Sequence, residues 1–400
     1  MNKKRSLRLH IPVFVIIRTV LNTAIRMVYP FLPLIGRSMG VDLVTLSRAV
    51  TLRSASGVFG PLLGTVADTR GRRTGMLLGL SLFTVGVGLM VFWSSYTTFA
   101  FMLVLSILGV LTFLPSMQAY LGDRVPYRQR AFALALTEIS WSLSFIIGVP
   151  IIAFLIARGG WTAPFPFLLG AGVLAMAALL WMLPRDRSED GSPAMPWQNL
   201  RKVLTYKPAL AGIIMALTFS ASNELVNLIF GVWLEDSFGV KIAALAAASM
   251  VIGVSELSGE VLVIGITDRM GKRRAIGIGL LLNSFVALGL PFLGTSMAGA
   301  LVGLFFFYLT FEFTIVSSLP LMNEILPVAR ATMMAVFMSG TSVGRAFGDM
   351  LAVPLYGYGE STGVLSGIIV VVIGVVMFNA IALLALRVLS SSVQNLGSRD

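Results

Sequence analysis

The sequence predicts an all-α membrane protein in which twelve transmembrane helices form two pseudo-symmetric six-helix bundles. The first observation is composition: 56% of the 400 residues are hydrophobic and only 12% are charged, whereas soluble domains carry about a quarter charged residues. The second is a series of apolar runs, each near the roughly 20 residues that cross a bilayer as a helix. The third is a repeat between the two halves of the chain. This composition excludes a soluble domain, a disordered chain and a collagen-like repeat.

Twelve apolar spans are separated by short polar breaks, with six spans on each side of a polar linker. The predicted spans cover residues 11–35, 43–67, 75–94, 98–119, 132–157, 163–183, 209–234, 243–266, 275–294, 298–320, 332–357 and 363–386. Residues 184–208 carry closely spaced charges and prolines, which is typical of a surface linker. We therefore expect one bundle over residues 1–183, a cytoplasmic linker over 184–208, and a second bundle with a short cytoplasmic tail over 209–400.

The unequal distribution of lysine and arginine predicts the orientation. The N-terminus, the linker, the tail and the loops on their side hold 22 of these residues, and the opposite loops hold three. Because cytoplasmic loops are the positive ones, we expect both termini in the cytoplasm and a multi-pass protein of a bacterial-type inner cell membrane. The net charge of +12 then reflects topology, and no nucleic-acid partner is expected. The first apolar run is too long for a signal peptide and is expected to remain as helix 1.

Two cytoplasmic loops recur in both halves of the sequence. Residues 68–73 after span 2 are matched by residues 268–274 after span 8, at an offset of 200 residues. In the next cytoplasmic loop, Asp123 is matched by Glu324. Two loops in register indicate an internal repeat. Two similar six-helix halves are the architecture of carriers in which one half rocks against the other.

The loop after span 2 resembles the signature loop of the major facilitator superfamily, G-x-x-x-D-R/K-x-G-R-R/K. The matching residues are Gly64, Asp68, Arg70, Gly71, Arg72 and Arg73, and those of the second-half copy are Asp268, Gly271 and Arg273. Thr69 replaces a usual basic residue, and Ile264 replaces the leading glycine of the copy. The resemblance extends over the whole chain and implies transport by alternating access. It further implies that helices 1, 4, 7 and 10 line a cavity, that helices 2, 5, 8 and 11 lie between the halves, and that the remaining four face lipid.

We expect the signature loop to act as a cytoplasmic gate. The resemblance implies that Asp68 accepts hydrogen bonds from the N-terminus of helix 11, and Arg73 is expected to pair with Asp123. Glu324 is the corresponding acid in the second half. The alternative is that these arginines only enforce topology.

Eleven ionisable side chains fall inside the predicted spans, and each costs about 2.5 kcal/mol or more near the bilayer centre unless it is paired or hydrated. They are Arg18, Arg26, Arg48, Arg53, Glu138, Glu224, Glu256, Glu260, Glu312, Arg345 and Asp349. Spans 3, 6, 9 and 12 contain none of them. The distribution is the one that a fold with those four helices against lipid requires.

Three acids are candidate proton sites: Glu224, Glu312 and Glu138, in that order. A carboxyl group near the middle of the membrane can titrate, but Glu224 could equally be locked against an arginine of the other half. The candidate cavity residues are Arg18, Asn22, Arg26, Asn223 and Asn227. Arg18 could instead form a structural ion pair with Glu138, and Arg26 could reach the outer interface. Aromatic residues such as Tyr308 fit ordinary packing as well as a cavity lining.

The remaining intramembrane charges are expected to form ion pairs between the helices that separate the halves. These residues are Arg53, Glu256, Glu260, Arg345 and Asp349. Glu256 and Glu260 lie one turn apart in span 8, so they could meet the similarly spaced pair in span 11. Such pairs would be structural.

Function follows from which kinds of chemistry the chain lacks. It has no cysteine, a single histidine at His10 and no phosphate-binding loop, so we expect no enzyme, cofactor, metal site or ATPase. The sequence predicts a monomeric, proton-coupled exporter of small amphipathic or hydrophobic compounds, with the substrate, protons and lipid as partners. A proton-coupled carrier of an anionic metabolite or sugar is the first alternative. A lipid flippase and a receptor without transport follow.

Overall fold

The computed structural model describes the backbone of residues 3–184, 196–326, 330–363 and 365–397. Side chains are described within these ranges except at 3–9, 65–69, 127–132, 196–199, 264, 268, 331 and 390–397. The helices are α1 (Lys3–Arg26), α2 (Val28–Met39), α3 (Leu43–Ala55), α4 (Gly60–Arg70), α5 (Arg72–Phe92), α6 (Tyr96–Arg124), α7 (Tyr127–Glu138), α8 (Ser140–Leu143), α9 (Val149–Gly159), α10 (Pro164–Met182), α11 (Pro196–Thr205), α12 (Lys207–Phe238), α13 (Ile242–Met270), α14 (Lys272–Leu293), α15 (Met297–Ile325), α16 (Arg330–Thr362) and α17 (Gly367–Gly397). The all-α prediction is confirmed.

Helical structure covers each of the twelve predicted spans. Within the described ranges, nine helices are long and apolar enough to cross a membrane, and a tenth span results if α1 and α2, which are bent by 48°, are taken together. The two remaining predicted spans are α3 with α4, and α16. These two carry Arg48, Arg53, Arg345 and Asp349, so polar residues replace part of their apolar surface. The count of apolar helices is therefore consistent with twelve spans.

Prolines account for two breaks in the membrane helices. A 3₁₀ turn, Ser56–Phe59, joins α3 to α4 just before Pro61. A π-helical turn, Ser144–Gly148, joins α8 to α9 just before Pro150. A proline cannot donate its backbone hydrogen bond to the preceding turn, so the ladder is rearranged there. π-helical turns often occur at functional sites in helical proteins.

The chain divides into two compact units. Unit 1 comprises Met1–Asp42, Phe59–Pro193 and Lys241–Gly253. Unit 2 comprises Leu43–Val58, Ala194–Val240 and Val254–Asp400. Within unit 2, α12 packs against α15, α16 and α17, and α16 also packs against α3. α12 is the central helix of that unit, because 83% of an apolar stretch of 18 residues within it is buried.

A row of glycines on α16 brings that helix very close to α12. Gly340, Gly344 and Gly348 are spaced by four residues and therefore lie on one face. A Cβ atom on Gly344 would overlap the carbonyl oxygen of Leu217, and one on Gly348 would lie 2.6 Å from the Cβ atom of Glu224. This is the small-residue spacing that lets membrane helices approach backbone to backbone. It places α16 directly against the segment of α12 that carries Glu224.

Candidate functional site

A buried cluster of three ionisable side chains lies in unit 2, where α3, α12 and α16 meet. We call Arg53, Glu224 and Asp349 the Arg53 cluster. Nη2 of Arg53 lies 3.6 Å from Oε1 of Glu224 and 3.9 Å from Oδ2 of Asp349. The side chains of Arg53, Glu224 and Asp349 are 3%, 1% and 0% exposed, respectively. One guanidinium group thus faces two carboxyl groups in a place that excludes water.

Ser54 completes the surroundings of the Asp349 carboxyl group. Its hydroxyl donates a hydrogen bond of 2.6 Å to Oδ2 of Asp349 and accepts one of 3.3 Å from Nη2 of Arg53. The close packing at Gly348 keeps Asp349 against α12, because this glycine, the residue before Asp349, has no side chain to hold the helices apart. Two residues of α3 therefore bind Asp349 from one side while Glu224 faces it from another.

A chain of hydrogen bonds extends from the Arg53 cluster to α15. Nδ2 of Asn227 donates to Oε2 of Glu224 at 3.3 Å. The hydroxyl of Tyr308 donates to Oδ1 of Asn227 at 3.0 Å. Glu224 is therefore oriented on one oxygen by Asn227 and faces Arg53 with the other.

Polar atoms on α12 next to this chain are buried without hydrogen bonds. Among the described residues, Oγ of Ser220, Oγ of Ser222 and Oδ1 of Asn223 have no hydrogen-bond partner. Buried polar atoms normally have partners, and exceptions call for an explanation such as a ligand or water. Asn223 was predicted to face a cavity, and its orphaned oxygen supports that role as a proposal.

In unit 1, Arg18 and Glu138 form a bidentate ion pair. Nη1 and Nη2 of Arg18 lie 2.9 Å from Oε1 and Oε2 of Glu138. Nη1 also donates to the carbonyl oxygen of Thr137 at 2.7 Å, and Gln118 donates to Glu138 at 3.4 Å. The side chain of Glu138 is 45% exposed. The structure thus gives Arg18 the ion-pair partner that was left open as an alternative to a substrate contact.

Removing Arg18 tests how much this pair stabilises unit 1. In a double-mutant cycle with Arg18→Met and Glu138→Gln, we expect a coupling free energy of about 1 kcal/mol, because the geometry is bidentate but Glu138 is nearly half exposed. The measurement is thermal unfolding of purified protein in detergent. Additive losses from the two single variants would contradict a structural pair.

Arg26 lies about two turns further along α1 than Arg18, on the same side of the helix. Its guanidinium group is stacked between aromatic rings. Its Cζ atom is 3.5 Å from the ring centroid of Phe145 and 4.2 Å from that of Trp141. Nη1 donates to the carbonyl oxygen of Trp141 at 2.8 Å. Asn22, one turn earlier, is buried, and its Nδ2 atom has no hydrogen-bond partner within the described part of the chain. Cation–π contacts explain how this guanidinium is accommodated inside unit 1 rather than at the outer interface.

The other predicted acids and Arg345 lie on the helices of unit 2. Glu312 on α15 and Glu256 on α13 are buried, and Glu260 and Arg345 are partly buried. Glu312 packs against α13. A Cβ atom added to Gly259 of that helix would lie 2.9 Å from the Cβ atom of Glu312. A proton role for Glu312 and ion pairs formed by Glu256 and Glu260 stay predictions.

The two signature loops have corresponding geometry in the two units. Gly71 and Gly271 have φ angles of 96° and 84°, which glycine adopts at low cost. In unit 1, Nε of Arg72 lies 3.3 Å from Oδ2 of Asp123. In unit 2, Lys272 bonds Glu324 at the matching position. The repeat found in the sequence therefore recurs as a repeated ion pair.

Asp123 forms an ion pair that was not predicted. Its partner is Nε of Arg72, whereas Arg73, the expected partner, donates from Nη2 to the carbonyl oxygen of Leu180 at 3.0 Å. Adjacent residues of a helix point about 100° apart, and a pair between Arg73 and Asp123 stays a prediction. Among the other loop residues, Arg70 is exposed, Gly64 and Arg273 are partly buried, and the side chains of Asp68 and Asp268 lie outside the described residues.

Two similar helical units with buried ionisable side chains are typical of a secondary transporter. The family model of the Major Facilitator Superfamily matches residues 14–349 of the chain. The chain therefore belongs to that superfamily, and it is a membrane transporter rather than an enzyme.

Related proteins are bacterial transporters. The chain is 32% identical over 127 residues to the uncharacterized MFS-type transporter YwfA of Bacillus subtilis, a match that covers 32% of this chain and 31% of YwfA. It is 24% identical to the MFS-type transporter YceJ of the same organism over 86% of this chain and 89% of YceJ. It is 26% identical to the quinolone resistance protein NorA of Staphylococcus aureus over 51% of this chain and 54% of NorA. The matched region is thus about a third of YwfA and about half of NorA.

Solved structures agree on the fold. A bacterial homologue of the lysosomal transporter Spinster has a TM-score of 0.77 at 14% identity, with 97% of this chain and 98% of that chain covered. A D-xylose-proton symporter has a TM-score of 0.73 at 16% identity, with 95% and 97% covered. At these identities the likeness shows the fold alone.

Sequence reasoning missed the glycine row and Ser54 and left the role of Tyr308 undecided. The spacing of Gly340, Gly344 and Gly348 is visible in the sequence and predicts close helix packing. Tyr308 could have been found because a tyrosine hydroxyl buried in a membrane helix needs a hydrogen-bond partner. Ser54 has no comparable indication beyond its place next to Arg53.

Proposed function

We propose that this protein is a proton-coupled exporter of small amphipathic or hydrophobic compounds. The observation that carries the proposal is Glu224, a buried carboxyl group held by Asn227 and facing Arg53 and Asp349. An acid that is shielded from water in a carrier can take up or release a proton as its surroundings change. Glu224 is the first candidate for the residue that couples transport to protons.

The contacts of the two arginines on α1 favour an amphipathic substrate over an anion. An anionic substrate would need a guanidinium group as its partner, but Arg18 is occupied by Glu138 and Arg26 is stacked between Trp141 and Phe145. The relative NorA is named for quinolone resistance, and export of an amphipathic drug-like compound is in line with that name. We propose that the protein acts as a monomer with both termini in the cytoplasm.

A reconstituted transport assay tests the proposal. Purified protein in proteoliposomes is given an imposed pH gradient and, in parallel, ethidium, a quinolone and fluorescein. We expect the pH gradient to drive ethidium or the quinolone against its concentration gradient. Movement of fluorescein instead would favour the anion carrier, and no pH-driven movement of any probe would contradict proton-coupled export.

Glu224→Gln is expected to abolish the effect of the pH gradient while probe binding remains. The amide keeps the size of the side chain but cannot exchange a proton. Glu235→Gln is the matched control, because Glu235 lies near the end of the same helix and outside the Arg53 cluster. Full pH-driven transport by Glu224→Gln would contradict Glu224 as the proton site, and Glu312 would be the next candidate.

A further inference from the structure

The charges of the Arg53 cluster do not balance if both acids are ionised. Arg53 supplies one positive charge, and Glu224 and Asp349 would supply two negative charges, all within a site where each side chain is at most 3% exposed. A net charge buried without compensation costs several kcal/mol. A single proton on either carboxyl group makes the cluster neutral.

The hydrogen bonds of Asp349 indicate where such a proton would lie. Oδ2 of Asp349 accepts from Ser54, whereas Oδ1 is buried and has no hydrogen-bond partner among the described residues. Oδ2 of Asp349 and Oε1 of Glu224 lie within 4 Å of the same guanidinium nitrogen, Nη2 of Arg53, so the two carboxyl groups are neighbours. Two ionised carboxylates can only accept, so they cannot bond each other, but a protonated carboxyl group donates. One proton would therefore supply the missing hydrogen bond and neutralise the cluster.

The helices around Asp349 bring few other charged groups. α3 contributes Arg53 and α12 contributes Glu224, the other two members of the Arg53 cluster. On α16 itself, Arg345 lies one turn earlier. Tyr308 of α15 is linked to the cluster through Asn227. α17, which also packs on α12, carries no charged residue before Arg387.

We propose that Glu224 and Asp349 form a carboxyl pair that holds one proton between them, with Arg53 as the counter-charge that fixes the number of protons at one. Asp349 is thereby a second proton-carrying residue rather than the partner in a purely structural ion pair. The use of this proton in transport rests on the proposed function, whereas its presence in the resting protein does not.

Infrared difference spectroscopy of the full-length protein in lipid tests the pair directly at neutral pH, without substrate or gradient. A protonated carboxyl group has a C=O stretching band that an ionised carboxylate lacks, and the band shifts in D2O. We expect this band in the wild type and expect it to be lost in both Glu224→Gln and Asp349→Asn. Either change leaves one acid alone with Arg53, so the remaining acid ionises. In Arg53→Met the band should be about twice as strong.

Asp236→Asn is the matched control, since Asp236 lies near the end of α12 and is exposed; it should leave the band unchanged. Absence of the band in the wild type, or its survival in Asp349→Asn, would overturn the shared proton. An unchanged band in Arg53→Met would overturn the role of Arg53.

The unmodified chain provides a measurement that does not depend on how a variant folds. On titration of the wild-type protein to alkaline pH, the intensity of the band should fall along the curve of a single one-proton titration. A loss of intensity that requires two protons, or a band that resists D2O, would contradict a pair that shares one. Because this readout needs no transport, a failure of pH-driven flux in proteoliposomes would refute the proposed function and leave the carboxyl pair standing.

Discussion

Arg53→Met is expected to cost about 3–5 kcal/mol of unfolding free energy at neutral pH, the largest loss among the substitutions considered for this protein. Methionine keeps an unbranched side chain of similar reach, so the main change is the loss of the positive charge. Glu224 and Asp349 then face each other in a site where neither side chain is more than 1% exposed. The cost arises from two buried acids that have lost their common partner.

The same substitution should make stability depend more steeply on pH. Without Arg53, the cluster is neutral only when both acids are protonated, whereas the unfolded chain at neutral pH binds neither proton. Stability falls with rising pH wherever the folded state binds more protons than the unfolded state. Each additional bound proton contributes a slope of about 1.4 kcal/mol per pH unit. We therefore expect Arg53→Met to approach wild-type stability as the pH is lowered.

Unfolding in detergent across a range of pH values checks both expectations. Arg48→Met is the matched control, because Arg48 lies on the same helix and is exposed; its effect should stay within about 0.5 kcal/mol. The triple variant Arg53→Met, Glu224→Gln, Asp349→Asn contains no charge at the site and should regain most of the stability. Wild-type stability of Arg53→Met at neutral pH would show that the cluster is not electrostatically coupled.

Much of the fold could be predicted because hydrophobicity and loop charge act locally. Apolar runs and the lysine and arginine asymmetry depend on sequence windows of a few tens of residues, and the structure has helices at every predicted span. The repeat between the two loops is also present in the structure as two corresponding ion pairs, Arg72 with Asp123 and Lys272 with Glu324. The ion pair of Asp123 with Arg72, next to the predicted Arg73, depends on the directions of single side chains, which the sequence does not give.

The site was harder to predict because its members are far apart in the sequence. Arg53 and Asp349 are separated by 296 positions, and their contact depends on where α3 and α16 pack. The expectation treated Asp349 as one of several interchangeable ion-pair partners, since a list of charges does not give distances. Only the three-dimensional arrangement puts Asp349 against Glu224, because Gly348 removes the side chain that would separate α16 from α12.

Gly344→Ala is expected to cost about 1–3 kcal/mol, the second large effect, because the added Cβ atom would overlap the carbonyl oxygen of Leu217 in α12. A backbone atom cannot rotate away as a side chain can, so α16 must shift as a whole. Gly357→Ala on the same helix is the matched control, since its Cβ atom would meet nothing within 4 Å. Alanine favours helix over glycine by up to about 1 kcal/mol, so this control should be neutral or stabilising.

The shift of α16 should also change the position of Asp349 relative to Glu224. Gly344→Ala therefore tests the effect of helix packing on the two acids without removing a charge. It leaves every ionisable group of the Arg53 cluster in place chemically, but it moves Asp349 away from Glu224 and so weakens the proton shared between them. We therefore expect lower thermal stability together with a weaker C=O band of the protonated carboxyl group, whereas Gly357→Ala should lower neither the stability nor the band. Loss of stability with an unchanged band would mean that the two acids do not depend on the glycine contact between α12 and α16 for their approach.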